Sequence, residues 1–168
     1  MSRALLAALA SAALVAGCGG GGSGKPAHTR RAPPAPPAND VSVIRRWADT
    51  LRAGDVAGTT RFFGLPVIVE NGTPPQLLRS RAAVRAFNDS LPCGARLLST
   101  RRRDRYTIAT FRLTDRPGGA CGTGAGGTAA TAFRLRRGRI VEWLRVPLGP
   151  GEPAPPSPPR PAPRTSVS

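Results

Sequence analysis

Glu142 is the acidic residue whose surroundings in the sequence best suit proton transfer. Two runs rich in Thr, Ile, Val and aromatic residues flank Arg137-Gly138, which predicts a β-hairpin with a two-residue turn. In that register Glu142 lies opposite Phe133, between Ile140 and Leu144 on the apolar face. Burial there would raise the pKa of the carboxyl group, as a general acid or base requires. Two alternatives remain, a position at the rim of a pocket or an ion pair with a neighbouring arginine.

Cys18 ends a segment that is typical of exported proteins. Residues 1–17 contain Arg3, then an apolar run and small residues, which predicts a signal peptide. Leu14-Val15-Ala16-Gly17-Cys18 resembles a bacterial lipobox, and the resemblance implies that Cys18 is lipidated and becomes the mature N-terminus. Several acyl chains would hold the protein firmly at the membrane. The alternative is an ordinary signal peptide followed by a chance cysteine.

The two ends of the chain have compositions that do not favour a folded core. Residues 18–39 are rich in Gly and Ser and then in Pro and Ala, which predicts a flexible tether after the lipidated cysteine. Residues 149–168 are rich in Pro, Ala and Ser without apolar periodicity, which predicts a disordered tail. A folded domain is therefore expected over residues 40–148, held at the outer face of the cytoplasmic membrane.

Cys93 and Cys121 remain as a pair in a domain that is expected to be exported, a setting in which disulfides persist. We expect a disulfide between them, which the chain-entropy model values at roughly 3–4 kcal/mol. The alternative is a pair of free, buried thiols. The chain's one histidine, His28, lies in the tether, so the domain has too few soft ligands for a metal site. We expect neither a metal nor a cofactor.

The chain is strongly basic, with a formal net charge of +16, and every basic residue except Lys25 is arginine. A GC-rich genome would produce this usage without functional pressure, so a merely solvated surface is one interpretation. The arginines expected on one basic surface are Arg101, Arg102, Arg103 and Arg105, with Arg134, Arg136, Arg139 and Arg145. Such a surface could lie against anionic phospholipid or wall polymer, each charge contributing about 1 kcal/mol. Nucleic acid is not an expected partner, because export separates the domain from it and interleaved aromatic residues are sparse.

Helices are predicted early in the domain and strands late. Apolar residues from Ile44 to Leu51 follow helical spacing, and Gly54 ends that helix. Ser80 is expected to cap a further helix over residues 81–91. Strands are expected over residues 65–70, 95–102 and 105–114 and in the two arms of the hairpin, and Pro66 favours an edge position for the first. This order indicates the α+β class.

Two segments resemble the nuclear transport factor 2-like (SnoaL-like) family. Residues 47–55, Trp-Ala-Asp-Thr-Leu-Arg-Ala-Gly-Asp, are similar to its opening helix and Gly-Asp break. Residues 133–143, Phe-Arg-Leu-Arg-Arg-Gly-Arg-Ile-Val-Glu-Trp, are similar to its closing hairpin, although Arg137 stands where the family usually has Asp or Asn. The resemblance implies a cone-shaped, curved antiparallel sheet packed on N-terminal helices, as in cystatin-like folds, with a pocket inside the cone.

The resemblance also implies where a ligand would bind. The candidate ligand-binding residues are Trp47, Tyr106, Phe133 and Glu142, although Trp47 is equally suited to the core. A homodimer through the outer sheet face is implied as well, with Trp143 as its exposed anchor. We expect a lipid-anchored, extracytoplasmic module that binds a small ligand or a partner. The alternatives are an isomerase- or cyclase-type enzyme acting on a small apolar substrate with Glu142 as catalytic base, and a structural envelope lipoprotein.

Overall fold

A computed structural model describes the protein over residues 35–149. Three α-helices form, α1 over Ala38–Arg52, α2 over Val56–Thr59 and α3 over Arg81–Asp89. The Asp55 carboxylate caps α2 by accepting a hydrogen bond from the backbone N–H of Gly58 at 2.7 Å. The Ser80 hydroxyl caps α3 by accepting from the N–H of Ala83 at 3.1 Å, as the sequence predicts.

Six strands form one curved, open sheet in the order β2-β1-β6-β5-β4-β3. The strands are β1 Phe63–Glu70, β2 Gln76–Leu78, β3 Gly94–Arg103, β4 Tyr106–Thr114, β5 Thr128–Arg136 and β6 Arg139–Val146. Neighbouring strands are antiparallel except β1 and β6, which run parallel. The α+β class is therefore confirmed, while the sheet expected to be antiparallel is mixed. The edge position predicted from Pro66 is wrong, because β1 lies between β2 and β6 and Pro66 falls where the β1–β6 pairing is interrupted.

A β-bulge at Val141 sets the register of the closing hairpin. Arg137 and Gly138 form the predicted turn, and both have positive φ, 50° and 70°, as a type I′ turn requires. The pairs on either side of the bulge are Leu135 with Ile140 and Arg134 with Glu142. Val141 is thus an extra residue on β6. The register predicted from the sequence is wrong beyond this point, since a slip of one residue moves every later side chain of β6 to the other face.

The apolar stripe of α1 packs against one face of the sheet, called here the inner face, and Trp47 lies at the centre of this core. Its ring makes edge-to-face contacts at centroid distances of 5.6–6.5 Å with Phe63, Phe111, Phe133 and Trp143. Each such pair contributes about 0.5–1.5 kcal/mol beyond the burial of area. The Trp47 indole N–H donates to Asn88 Oδ1 at 2.9 Å, which satisfies this buried donor.

The expected disulfide between Cys93 and Cys121 is present. It joins the residue before β3 to the long loop between β4 and β5. The buried guanidinium of Arg116 holds the same loop from its other end, donating to the backbone carbonyls of Asp89 at 2.9 Å and Leu91 at 2.8 Å. The loop is therefore fastened at two points to the chain that follows α3.

Several predictions from the sequence fall outside the described residues. These are the signal peptide, Cys18, the greater part of the tether and the tail from residue 150 onward. Within residues 35–149, no helix has both the length and the apolar composition needed to cross a membrane. The lipid anchor therefore stays a prediction.

Candidate functional site

A cavity of 140 Å³ lies between α1 and the inner face of the sheet. Most of its wall is apolar, formed by Trp47, Leu51, Leu91, Ala95, Phe111, Ala129 and Trp143. Cys93 of the disulfide also lines it, so the fastened loop helps to close one side. An engineered apolar cavity of about 150 Å³ binds benzene, so the volume suits a single small ring.

Strand alternation brings the cavity residues to one place. Phe111 on β4 pairs with Ala129 on β5, and two residues along β5 Thr131 pairs with Arg145 on β6. Residues two apart on a strand share a face, so these side chains and Trp143 all lie on the inner face. Trp143 reaches that face only because the bulge at Val141 shifts the end of β6.

The indole N–H of Trp143 is a buried donor without an acceptor. Trp143 is 5% exposed, and its Nε1 makes no hydrogen bond with any described residue. The ring itself is held in place, with Phe87 packed edge-on at 5.1 Å and Phe133 at 6.4 Å. An unsatisfied buried donor costs about 1–3 kcal/mol, so an acceptor supplied by a ligand would recover that free energy.

Two further polar groups border the cavity. Arg145 is exposed, and its guanidinium forms no hydrogen bond or ion pair with the described residues, 35–149. Asn71, in the turn after β1, lines the same cavity, and its carboxamide is likewise without a partner in that part of the chain. Glu70 shares with Arg145 the lining of a shallow depression next to the cavity. Thr131 also lines the cavity. The cavity thus combines apolar walls with two groups that can only donate, on Trp143 and Arg145, and with the Asn71 carboxamide and Thr131 hydroxyl, which can donate or accept.

The predicted ligand-binding residues do not stay together. Trp47 lines the cavity as expected, although most of its ring also serves the core. Phe133 is fully buried at 0% exposure and packs beneath Trp47, and it is not part of the cavity wall. Tyr106 and Glu142 lie on the outer face of the sheet, where their side chains contact each other.

The prediction that Glu142 faces the interior with a raised pKa is wrong. Burial alone would raise the pKa of Glu142, but hydrogen bonds from the Tyr106 hydroxyl, at 2.5 Å, and from Arg134 outweigh it and lower that pKa. Arg105 adds a favourable charge and donates to the Tyr106 hydroxyl at 3.1 Å. The alternative considered from the sequence, an ion pair with a nearby arginine, is what the structure contains. Glu142 is an ionised, paired carboxylate on the outer face.

The bulge also corrects two expectations about Trp143 and Arg145. Trp143 was expected as an exposed anchor on the outer face, yet it is a buried wall of the cavity. Arg145 was expected in one stripe with Arg134, but the shifted register separates their faces. Sequence reasoning therefore missed the residues that give the cavity its polar character. A homodimer through the outer sheet face stays a prediction, now without Trp143 as its anchor.

The arginines also converge at a second place, beside the first turns of α1. An open groove there is lined by Arg46, Arg61, Arg137 and Arg139, together with Asn39, Val43, Phe62 and Gly138. We call the groove lined by these four arginines the basic groove. None of the described residues in its lining is acidic. Asn39 is the second residue of α1 and lines this groove. The end of the predicted tether, which leads into α1, therefore lies beside the groove.

The side chains that line the cavity define the chemistry available there. Among the described residues that line it, none is acidic and none is a histidine or a tyrosine. Over residues 35–149, no three His, Cys, Asp or Glu side chains are grouped closely enough to hold a metal ion. The cavity therefore offers shape, apolar contact and hydrogen-bond donors to a bound molecule.

Solved structures share this fold. A Sinorhizobium meliloti protein, proposed to be a polyketide cyclase, has a TM-score of 0.51 at 14% identity, over 62% of this chain and 94% of that chain. A de novo designed protein with a curved β-sheet has a TM-score of 0.50 at 13% identity, over 64% and 83%. An NTF2-like protein of unknown function from Cytophaga hutchinsonii has a TM-score of 0.49 at 6% identity, over 64% and 88%.

The two likenesses with TM-scores of 0.51 and 0.50 confirm the fold that the family resemblance implies, a curved sheet packed on helices. At such low identity they concern the fold alone. No protein-family model matches the sequence, and no curated protein matches it.

Proposed function

We propose that the domain is a binding module that takes a small, mainly apolar molecule into the cavity between α1 and the sheet. The fold fits a ligand-binding or cyclase-type module. The observation that carries the proposal is the cavity itself, with its apolar wall and the unpartnered indole N–H of Trp143. Ligand sites generally combine such a wall with a few placed polar groups.

Binding is favoured over the isomerase or cyclase alternative by the position of the acidic residues. A base must come within hydrogen-bond reach of the proton that it removes. Glu142 lies on the other face of the sheet and is held by Tyr106 and Arg134. An enzyme using Glu142 on a cavity-bound substrate would need the hairpin to change register. A binding role needs no such change.

The test uses the two tryptophans of the chain, Trp47 and Trp143, both of which line the cavity. Toluene titrated into the full chain should change their fluorescence saturably. Burial of about 200 Å² of aromatic surface at about 25 cal/mol per Å² gives about 5 kcal/mol, hence a Kd on the order of 0.2 mM. A titration without saturation up to the solubility of toluene would contradict the proposal.

A pair of matched variants makes the test specific to the cavity. Ala129→Leu adds three carbons to the cavity wall and should weaken toluene binding at least tenfold. Ala82→Leu makes the same change on the exposed side of α3 and should leave the affinity unchanged. Equal affinities in the two variants would show that toluene binds elsewhere.

We propose further that the module is anchored by lipid on Cys18 at the outer face of the cytoplasmic membrane. The lipobox-like segment and the disulfide-bonded domain both suit export. In a bacterial host, the wild-type chain should incorporate radiolabelled fatty acid and sediment with membranes. Cys18→Ser should abolish the labelling. Equal labelling of the two chains would refute the anchor.

The basic groove supports contact between the anchored domain and anionic phospholipid or wall polymer. Four guanidinium groups without an acidic neighbour in the lining give a site for phosphate, and the tether enters beside them.

Two triple arginine-to-glutamine variants remove equal charge from exposed positions, one inside the groove and one outside it. The groove variant changes Arg46, Arg137 and Arg139, and the control changes Arg79, Arg85 and Arg96. Both variants are made in the Cys18→Ser chain, and only the groove variant should sediment less with phosphatidylglycerol vesicles. An equal loss of sedimentation in both variants would show that net charge alone explains the binding.

A further inference from the structure

Two polar groups of the cavity can only donate hydrogen bonds, and one of them is charged, which restricts what the ligand can be. Trp143 contributes an indole N–H, which can only donate, and the guanidinium of Arg145 is also a donor without acceptor capacity. Trp143 and Arg145 are two residues apart on β6, so their Cα atoms lie about 7 Å apart on the same face. The carboxamide of Asn71 adds N–H groups on the same wall.

Arg145 is available to a ligand, because it is exposed and, like Asn71, has no partner among residues 35–149. The Trp143 N–H also lacks an acceptor there, but its nitrogen is buried in the wall, so a ligand reaches it only when the indole ring shifts. None of the described residues of the cavity wall carries a carboxylate that would compete for these donors. Glu70 lies next to Arg145 in the neighbouring depression but does not pair with it. The positive charge of Arg145 is therefore balanced by no acidic partner in the described part of the chain.

We propose that the ligand is a small apolar monocarboxylate. Its apolar body would lie against the wall formed by Trp47, Phe111 and Ala129. Its carboxylate would accept from Arg145, and from the Trp143 N–H once the indole ring shifts. A carboxylate is an acceptor-only group, and its two oxygens match the parallel N–H groups of a guanidinium. This inference rests on the proposed binding function, because it names the ligand class of the same cavity.

The experiment compares three ligands of nearly equal size in the full chain. Toluene has the ring alone, benzamide adds a neutral acceptor and benzoate adds a charged one. We expect benzoate to bind at least tenfold more tightly than toluene, with benzamide between them. In the ¹H–¹⁵N spectrum, benzoate should shift the Trp143 indole signal strongly downfield. The Trp47 indole signal should move little, because that N–H stays bound to Asn88.

Two variants separate the roles of the donors. Arg145→Gln should weaken benzoate about tenfold and leave toluene unchanged, whereas Arg96→Gln, the same charge change at an exposed position of β3 outside the cavity and the basic groove, should affect neither. Trp143→Phe keeps an aromatic ring beside Phe87 but removes the N–H together with part of the ring. The readout is therefore the ratio of the benzoate and toluene affinities, and this ratio should fall.

The possible results distinguish this inference from the proposed function. If toluene and benzoate bind equally well, or if Arg145→Gln weakens both alike, the carboxylate assignment is overturned while the binding function stands. If phenyl phosphate binds more tightly than benzoate, the ligand class is wrong. If none of the ligands binds, both the inference and the binding function fail.

Discussion

Loss of the Cys93–Cys121 disulfide should have the largest effect on stability that a covalent change can produce in this domain. The two cysteines are 28 residues apart in the sequence. In the chain-entropy model, opening a loop of that length releases about 3.6 kcal/mol of denatured-state constraint at 25 °C. Small domains are typically stable by only about 5–15 kcal/mol, so a substantial share of the folding free energy would be lost.

Urea unfolding followed by tryptophan fluorescence measures this loss. We compare the wild-type chain with the double variant Cys93→Ala/Cys121→Ala. With a slope of about 1.5 kcal/mol per M, the midpoint should fall by about 2.4 M. Reduction of the wild-type chain with dithiothreitol should give a similar shift, and the same treatment of the double variant should give none. A loss of less than about 1 kcal/mol would refute the reasoning, and would show that Arg116 and local packing already hold the loop.

Two further predictions concern buried polar groups. Glu142→Gln should reduce stability at pH 7 by about 1–3 kcal/mol, because it removes a charge-assisted pair and leaves Arg134 partly buried without its partner. The folded-state pKa of Glu142 is lowered from 4.5, so the stability difference between Glu142→Gln and wild type should persist above that pH and shrink as the pH falls below it. Urea titrations at several pH values measure this difference. A stability difference that grows on acidification would contradict the pairing. Asn88→Ala should cost about 2–3 kcal/mol, because it leaves the buried N–H of Trp47 without an acceptor, and Asn88→Gln should not restore the loss; an unchanged unfolding midpoint in Asn88→Ala would contradict this account.

The parts of the fold that follow from local rules were predictable. The stripe from Ile44 to Leu51 specifies a helix with one buried face, and Ser80 specifies where α3 begins. Arg137-Gly138 specifies a tight turn, since glycine readily adopts positive φ. The disulfide follows from counting cysteines in a domain that is expected to be exported. Each of these features depends on residues close together in the sequence or on simple pairing.

The parts that depend on distant partners were not predictable in the same way. The parallel pairing of β1 with β6 joins segments more than seventy residues apart, and no local sequence pattern predicts it. The three-residue strand β2 is held by its pairing to β1 and by the packing of Leu78 against the core. Pro66 illustrates the difference, because its local rule for an edge strand was overridden where the β1–β6 ladder is interrupted.

The bulge at Val141 decides which chemistry faces the cavity, and a comparison of free energies explains why it forms. A hairpin without the bulge would place Glu142 on the inner face opposite Phe133 and would turn Trp143 outward. That arrangement buries a carboxylate among apolar side chains, at a cost of several kcal/mol without a partner, and exposes a large aromatic ring. The bulge instead buries Trp143 against Trp47 at 6.2 Å and pairs Glu142 with Arg134. One extra residue thus places the indole of Trp143, and not the carboxylate of Glu142, at the wall of the cavity.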